Sequence, residues 1–224
     1  MRNVFCEDAI VWLEKNYIPD GSSLIASMPD ISEFHGMSLA EWKNWFINTA
    51  KLVLSKTPDN DVSIFYQSDI KVDGTWVDKA FLVQKAAQEV GSELLWHKII
   101  CRVQPGYATF GRPAYSHVLC FSKKHRLFDM SKSTADVIPD IGDKTWERGM
   151  GLEACLMIAK FLSEQTQTKT LIHPFCGQGS MLALANHYGL NAIGIERSPK
   201  RVELAKILKY DEENKKFIKP SNLM

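Results

Sequence analysis

TLIHPFCGQGSMLALANHYGLNAIGIERS, residues 170–198, has the pattern of a strand, a glycine turn, a helix and a second strand. The first apolar run enters Gly177-x-Gly179, a helical pattern begins at Ser180, and the second apolar run ends at Glu196. Two glycines at a strand-to-helix turn let the backbone approach a ligand closely. An acidic residue at the tip of the next strand suits hydrogen bonding to ribose hydroxyls. The stretch therefore predicts a site for a nucleoside-bearing cofactor across two strand ends.

Two alternatives fit the same glycines. A tight turn followed by a surface glutamate needs no ligand, because glycine is a general turn residue. A dinucleotide site usually carries a third glycine in the helix, where this sequence has Leu182, and Pro174-Phe175 is not typical of that fingerprint. The nucleoside site is favoured over both, and the plain turn stays open.

The rest of the chain alternates strand-type and helix-type segments, which predicts an α/β fold with a mostly parallel sheet and helices on both faces. Residues 92–100 and 116–123 resemble an antiparallel hairpin with a long Gly/Pro-rich connection. Ser38-x-x-Glu41 predicts a capping box at the start of a helix with one apolar face. The charged residues from 212 onward are expected to be frayed.

The composition is that of an ordinary globular protein. The chain has 224 residues, 45% of them hydrophobic and 24% charged, which suits one α/β domain over 1–224. Because the net charge is only +1, any affinity for nucleic acid must come from a local patch.

Cysteines and apolar runs bear on the cellular setting. The five cysteines are scattered without a Cys-x-x-Cys pair, so neither a disulfide framework nor a metal site is expected, and a reducing, cytoplasmic location is predicted. No apolar run approaches the roughly 18 residues of a membrane span, and the N-terminal segment lacks a signal-peptide core. We therefore expect no membrane partner, and the pattern does not define an oligomeric state.

His173-Pro-Phe-Cys-Gly-Gln-Gly-Ser180, followed by Gly194-Ile-Glu196, resembles the cofactor motif of amino-group DNA methyltransferases, commonly Asp-Pro-Phe-x-Gly-x-Gly-Thr. The chain is similar to their permuted class, in which the catalytic half precedes the cofactor half. The same family is resembled by VFCEDAIVWL (4–13), SSLIASMPD (22–30), ELLWHKII (93–100), SHVLCFSK (116–123) and WERGMGLEACLMIAKFL (146–162). The resemblance implies a Rossmann-like methyltransferase domain, with the catalytic half and a substrate hairpin over 1–132 and the cofactor half over 145–210.

The resemblance also implies S-adenosylmethionine as the cofactor. Asp8 would accept its adenine amino group, Glu196 would bind its ribose, and residues 148–150 would close over its methionine end. His173 stands where the family usually has Asp, so it either orders backbone groups there or is an interior histidine with a satisfied hydrogen bond. The implied cofactor-binding residues are Asp8, His173, Phe175, Cys176, Gly177, Gly179, Ser180, Glu196 and Arg197.

Ser27-Met28-Pro29-Asp30 occupies the position of the family's catalytic tetrapeptide, usually Asp/Asn/Ser-Pro-Pro-Tyr/Phe/Trp. The Ser27 hydroxyl and the Met28 carbonyl could accept hydrogen bonds from an amino group, with Pro29 making the turn rigid. Asp30 replaces the aromatic residue that would stack on a flipped base. It could accept a proton, which allows a ring nitrogen or hydroxyl as methyl acceptor, or it could simply cap a turn. Stacking would then fall to Phe34, Trp42 or Tyr66.

Residues 98–132 combine seven Lys and Arg with Tyr107, Phe110 and Tyr115, and no insertion long enough for a separate recognition domain follows. Cations beside aromatic faces suit single-stranded nucleic acid or RNA, so RNA is favoured over DNA; a solvated hairpin is the alternative. The predicted substrate-binding residues are Arg112, Lys123, Lys124 and Arg126.

The sequence thus predicts an S-adenosylmethionine-dependent methyltransferase of a nucleobase. The alternatives are a methyltransferase of a small molecule or protein, and a degenerate domain that binds RNA or a partner without turnover. All of them require Asp30 and Gly177 to be neighbours in space.

Overall fold

The computed structural model describes residues 1–219. Its strands are β1 (Arg2–Cys6), β2 (Ser22–Ala26), β3 (Ser63–Gln67), β4 (Ile70–Val72), β5 (Thr75–Val77), β6 (Glu93–Cys101), β7 (Tyr115–Ser122), β8 (Val137–Ile138), β9 (Thr170–His173), β10 (Asn191–Glu196), β11 (Lys209–Asp211) and β12 (Lys216–Ile218). Its α-helices are α1 (Ala9–Lys15), α2 (Leu39–Lys56), α3 (Lys79–Glu89), α4 (Leu152–Gln165), α5 (Ser180–His187) and α6 (Pro199–Ile207).

Eight of the strands form one sheet in the order β1-β10-β9-β2-β3-β7-β6-β8. β7 runs antiparallel to both β3 and β6, and the other neighbouring pairs are parallel. The predicted α/β fold with an antiparallel hairpin strand is therefore confirmed. Because β9 and β10 lie between β1 and β2, the segments predicted as catalytic and cofactor halves contribute to the same sheet.

Helices cover both faces of this sheet, each over its own apolar cluster. One cluster contains the inward faces of α1, α2 and α3, and the other contains those of α4, α5 and α6. The capping box predicted at α2 is present, because Glu41 accepts the backbone N–H of Ser38 at 2.8 Å and donates its own N–H to the Ser38 hydroxyl at 3.3 Å. Trp42 and Phe46 on the apolar face of α2 are fully buried. Because the helices cover the two faces of the sheet, the ends of its strands are left to loops.

The C-terminal segment differs from the prediction. Residues 212–219 are not frayed, because β11 and β12 form a hairpin whose Phe217 is buried against the second apolar cluster. The backbone N–H of Phe217 donates to Asp143 Oδ2 at 2.8 Å, and Lys219 Nζ donates to the Thr145 carbonyl at 2.5 Å. The expectation of fraying at residues 220–224 lies outside the described residues. Among residues 1–219, no helix is both long and apolar enough to cross a bilayer.

Candidate active site

A cleft of about 870 Å³ opens at the carboxyl ends of β2, β3, β9 and β10. Open α/β sheets bind their ligands at this edge, because the loops that follow neighbouring parallel strands converge there. The loop after β2 brings Asp30 to the cleft and the turn after β9 brings Gly177, so the two are on its walls together as expected. The predicted residues that line the cleft are Ser27, Met28, Pro29, Asp30, Arg112, His173, Phe175, Cys176, Gly177, Ser180, Glu196 and Arg197.

Asp8 lies beside the cleft rather than in its wall. Its Oδ1 accepts the backbone N–H groups of Ile10 and Val11, at 2.9 and 3.2 Å, and so caps α1. The neighbouring Glu7 lines the cleft. Its backbone N–H donates to the Glu196 carbonyl at 3.2 Å. Within Cys6-Glu7-Asp8 the acidic residue that lines the cleft is therefore Glu7, whereas the sequence analysis named Asp8.

The two turn glycines have different roles. Gly177 has a φ of +55°, and the nearest atom to an added Cβ would be 3.7 Å away on Trp146, so its backbone is open to the cleft. Gly179 has a φ of +85°, and an added Cβ would lie 2.7 Å from Ala205 Cα on α6. Gly179 is therefore required for close packing of α5 against α6 rather than for ligand contact.

Three of the predicted cations, Lys123, Lys124 and Arg126, lie at the end of the strands opposite the cleft. β7 pairs His117 with Gln67 at the cleft end of β3 and Phe121 with Ser63 at the other end. Five residues of extended strand span about 17 Å, so the segment after Ser122 is remote from the cleft. Lys123 Nζ donates to the Thr57 carbonyl at 2.8 Å. We name Lys123, Lys124 and Arg126 the far-edge cluster.

The far-edge cluster was predicted to bind the substrate, and the structure places it away from the cleft. The two ends of one strand lie at opposite ends of the sheet, and the periodicity of the sequence does not say which of them is at the cleft. Lys124 Nζ lies 2.8 Å from Asp59 Oδ2, which fits the alternative of a solvated hairpin. Arg112 does line the cleft, where its Nη1 lies 2.8 Å from Glu147 Oε1.

The turn at residues 27–30 is held in place by a hydrogen bond from Trp42. The Trp42 indole Nε1–H donates to the Pro29 carbonyl at 3.3 Å, and the ring is fully buried, so it is not free to stack on a base. Phe34 lines the cleft, half-buried, with its ring centroid 4.6 Å from that of Trp45. Tyr66 also lines the cleft but is only 5% exposed. Phe34 is thus the aromatic residue best placed to stack.

Asp30 stands at the N-cap position of a 3-10 turn, Ile31–Glu33, and its Oδ1 contacts the Nζ of Lys79. Lys79 is the first residue of α3 and is a buried residue of the cleft wall. Burial, with a smaller contribution from Arg102, lowers the pKa of Lys79 to about 7, whereas contact with a carboxylate favours the ammonium form. The sequence analysis did not single out Lys79. The available signal was a lysine in register with the apolar positions Val83 and Ala86 of α3.

The opposite wall carries Glu196 and two unpartnered polar atoms. Glu196 Oε1 accepts the backbone N–H of Ser198 at 2.8 Å. His173 Nδ1 and Gln178 Oε1 are buried at the cleft without a hydrogen-bond partner among residues 1–219. Burial lowers the pKa of His173 to about 3, so its imidazole is neutral near pH 7. Buried polar atoms are normally hydrogen-bonded, so these two atoms mark a place where a polar ligand would complete the wall.

A strap, residues 145–150, crosses between the two walls. Thr145 Oγ1 lies 3.1 Å from the Ser180 hydroxyl, and the Trp146 ring centroid lies 4.3 Å from the guanidinium carbon of Arg201. At the other end, Arg148 Nη1 lies 3.6 Å from Glu33 Oε1, next to the turn that carries Asp30. The strap therefore forms a wall of the cleft, including the predicted residues 148–150.

The fold is shared with solved structures of DNA methyltransferases. A candidate DNA modification methylase from Thermus thermophilus, solved with S-adenosyl-L-methionine, superposes with a TM-score of 0.70 at 17% identity, covering 92% of each chain. The PvuII DNA methyltransferase, which is cytosine-N4-specific, gives 0.66 at 19%, covering 92% of this chain and 85% of its own. The complex of M1.HpyAVI with S-adenosylmethionine gives 0.62 at 14%, covering 92% and 98%.

Sequence comparison adds no closer assignment. The chain matches no protein-family model. It also matches no curated protein. At these levels of identity the structural likeness establishes the fold, a Rossmann-like methyltransferase fold, which confirms the fold expected from the resemblance.

Proposed function

We propose that the chain is an S-adenosylmethionine-dependent methyltransferase that modifies a nucleobase of a nucleic acid. The observation that carries the proposal is the single cleft that unites the turn at residues 27–30 with the glycine turn and Glu196. Two structures that share the fold across most of their length are named as a DNA modification methylase and a DNA methyltransferase, and two are solved with this cofactor, which supports the same chemistry here. The order of the two halves along the chain supports the permuted class.

The residues of the cleft fit such a cofactor. Glu196 keeps one carboxylate oxygen, Oε2, without a hydrogen bond to residues 1–219, which suits a ribose hydroxyl. The unpartnered Gln178 Oε1 and the open backbone at Gly177 suit the amino-acid end, where an ammonium group needs acceptors. The volume of about 870 Å³ is at the upper end of small-molecule sites, which leaves room for an acceptor base beside the cofactor.

When bound, the cofactor supplies a methyl group activated by its sulfonium. The protein supplies alignment. The Ser27 hydroxyl and the Met28 carbonyl accept hydrogen bonds from the acceptor nitrogen and direct its lone pair. Trp42 holds the Pro29 carbonyl, so the turn is rigid before the acceptor arrives. Phe34 stacks on the base in place of the aromatic residue missing at position 30. Water is excluded by the strap at residues 145–150.

The proposal does not distinguish DNA from RNA as the substrate. The expectation of RNA rested on one basic and aromatic surface over residues 98–132, and its cations are divided between the two edges of the sheet. The proposal therefore covers both DNA and RNA, with the cleft-side cations Arg102 and Arg112 as the candidate phosphate contacts.

The first test is cofactor binding by calorimetry. Wild-type protein should bind S-adenosylmethionine, and Glu196→Ala should weaken the affinity roughly 10- to 100-fold, because a hydrogen bond to a charged group contributes about 1.5–3 kcal/mol. Glu203→Ala, which removes an exposed carboxylate on α6 paired with Lys206, is the matched control and should bind as the wild type does. No binding by the wild type, or equal binding by Glu196→Ala, would favour a degenerate domain.

The second test identifies the acceptor. Nucleosides from cells with and without the gene are compared by mass spectrometry, and a modified nucleoside that disappears names both the polymer and the atom. Purified protein is then given methyl-labelled S-adenosylmethionine with genomic DNA or total RNA. Binding of the cofactor together with label found only in small molecules or protein would contradict a nucleobase acceptor.

A further inference from the structure

We propose that Lys79 and Asp30 form a donor–acceptor pair that binds the Watson–Crick edge of the acceptor base, with Asp30 receiving the proton released on methyl transfer. The inference rests on the proposed function and adds the edge of the base that is recognised and a second pair of catalytic residues. Both side chains line the cleft, and Lys79 Nζ contacts Asp30 Oδ1.

The Lys79 ammonium group is buried with fewer partners than its charge requires. The Lys79 side chain is 3% exposed, and Asp30 Oδ1 is its hydrogen-bond acceptor among residues 1–219. An ammonium group has three N–H donors, and burying such a charge without full pairing is costly. Two donors are thus left at the wall of a cleft that a polar ligand could enter.

Asp30 supplies the complementary group. Its side chain is 35% exposed, so its carboxylate is accessible from the cleft. The cleft wall therefore offers a carboxylate oxygen and an ammonium group in contact with each other. This pair matches a ligand whose own donor and acceptor are adjacent.

Contacts with neighbouring residues hold both Lys79 and Asp30 in position. The backbone N–H of Lys79 donates to Asp69 Oδ1 at 2.9 Å, and Asp69 Oδ2 lies 3.0 Å from His117 Nε2. Lys79 Nζ lies 5.8 Å from the Trp42 ring centroid, and Trp42 in turn holds the Pro29 carbonyl. Such support is what a binding pair requires, because a site that is loose by about an ångström loses most of its effect.

Nucleobases present this pattern on their pairing edge. An exocyclic amino group lies beside a ring nitrogen lone pair in adenine and cytosine, and a ring N–H lies beside a carbonyl in guanine, thymine and uracil. An extruded base is read on this edge once it has left the stack. Asp30 accepts one hydrogen of the reacting nitrogen in place of either Ser27 or Met28, and Lys79 donates to the neighbouring lone pair.

The step balances without a further reactant. The acceptor nitrogen forms its bond to the methyl carbon as the carbon–sulfur bond breaks, and that electron pair stays on sulfur. The N–H proton passes to the Asp30 carboxylate and then to water. Asp30 in place of an aromatic residue thus exchanges a stacking surface for a proton acceptor, while Phe34 retains the stacking.

The test uses four variants of the full-length protein: Asp30→Asn, Lys79→Met, the neutral double variant Asp30→Asn/Lys79→Gln, and Lys85→Met on the exposed face of α3 as control. Each is assayed for label transfer to genomic DNA and total RNA, for cofactor affinity and for thermal stability. Asp30→Asn should lower kcat about 100-fold, the lower end of general acid–base effects. Lys79→Met should raise KM for the nucleic acid about tenfold. Cofactor affinity should not change, and Lys85→Met should behave as the wild type.

The double variant separates chemistry from structure. Asn and Gln can keep a neutral hydrogen bond between the two positions, so a merely structural pair would retain wild-type kcat and KM in this variant. The inference expects kcat to stay about 100-fold low although the variant is folded and binds the cofactor. Wild-type kinetics in the double variant would overturn this inference alone. Absence of transfer to DNA and RNA by the wild type would overturn the proposed function, and this inference with it.

Discussion

His173→Asn should flatten the dependence of stability on pH. The imidazole of His173 is fully buried, and burial lowers its pKa to about 3 from an ordinary value near 6.5. Between these two values the unfolded chain binds a proton that the folded chain does not, so the free energy of unfolding rises with pH in this window. Asn keeps a polar group of similar size without a site that titrates.

The size of the effect follows from the same two values. Between pH 7 and pH 5 the folded imidazole stays neutral while the unfolded one becomes almost fully protonated, which lowers the free energy of unfolding by about 2 kcal/mol. The wild type should lose this amount in addition to whatever other groups contribute, and His173→Asn should not.

Urea denaturation at pH 5, 6 and 7 measures the difference between the two proteins. The comparison uses the change with pH within each protein, so a general loss of stability in the variant does not affect it. His35→Asn, which removes an exposed imidazole, is the control and should follow the wild type. Equal changes between pH 7 and pH 5 in wild type and His173→Asn would refute the argument from burial.

Three further outcomes are expected. Gly179→Ala should cost more than about 1 kcal/mol of stability, because it adds a clash with Ala205 to an unfavourable backbone angle; Gly36→Ala, with a φ of +77° and nothing within 4 Å, should cost less in the same thermal denaturation. Replacing the whole far-edge cluster by alanine should leave methyl transfer to nucleic acid unchanged at 50 and 200 mM salt, and a steep loss would restore it as a binding surface. Arg201→Ala should weaken cofactor affinity about tenfold by calorimetry, since Arg201 lines the cleft and holds both Trp146, by a cation–π contact of order 1 kcal/mol, and Glu196 Oε1 at 3.7 Å; unchanged affinity would exclude Arg201 from the cofactor wall.

The features that the sequence predicted well are local ones. The glycine turn and Glu196 follow from residues in one continuous stretch, and the apolar face of α2 follows from a period that Trp42 and Phe46 keep. The antiparallel hairpin was also accessible, because two strand-type segments flank a single Gly/Pro-rich connection at residues 102–114.

The features that were missed depend on contacts between distant segments. The distance of the far-edge cluster from the cleft was not predicted, because the direction of β7 relative to β3 decides which end of the strand reaches the cleft. Lys79 was missed because its partner, Asp30, is 49 residues away. The burial of Phe217 was missed because charged neighbours dominate its own segment, and the surface that covers it comes from elsewhere in the fold.

The C-terminal hairpin makes the glycine turn sensitive to changes far from it in sequence. Lys219 binds the Thr145 carbonyl, and the Thr145 hydroxyl meets Ser180 at the first residue of α5. A fusion or substitution at this hairpin would therefore be expected to shift Ser180, next to the glycine turn, through these two hydrogen bonds. An affinity tag or reporter group attached next to Lys219 would therefore change the affinity for a ligand bound at the glycine turn.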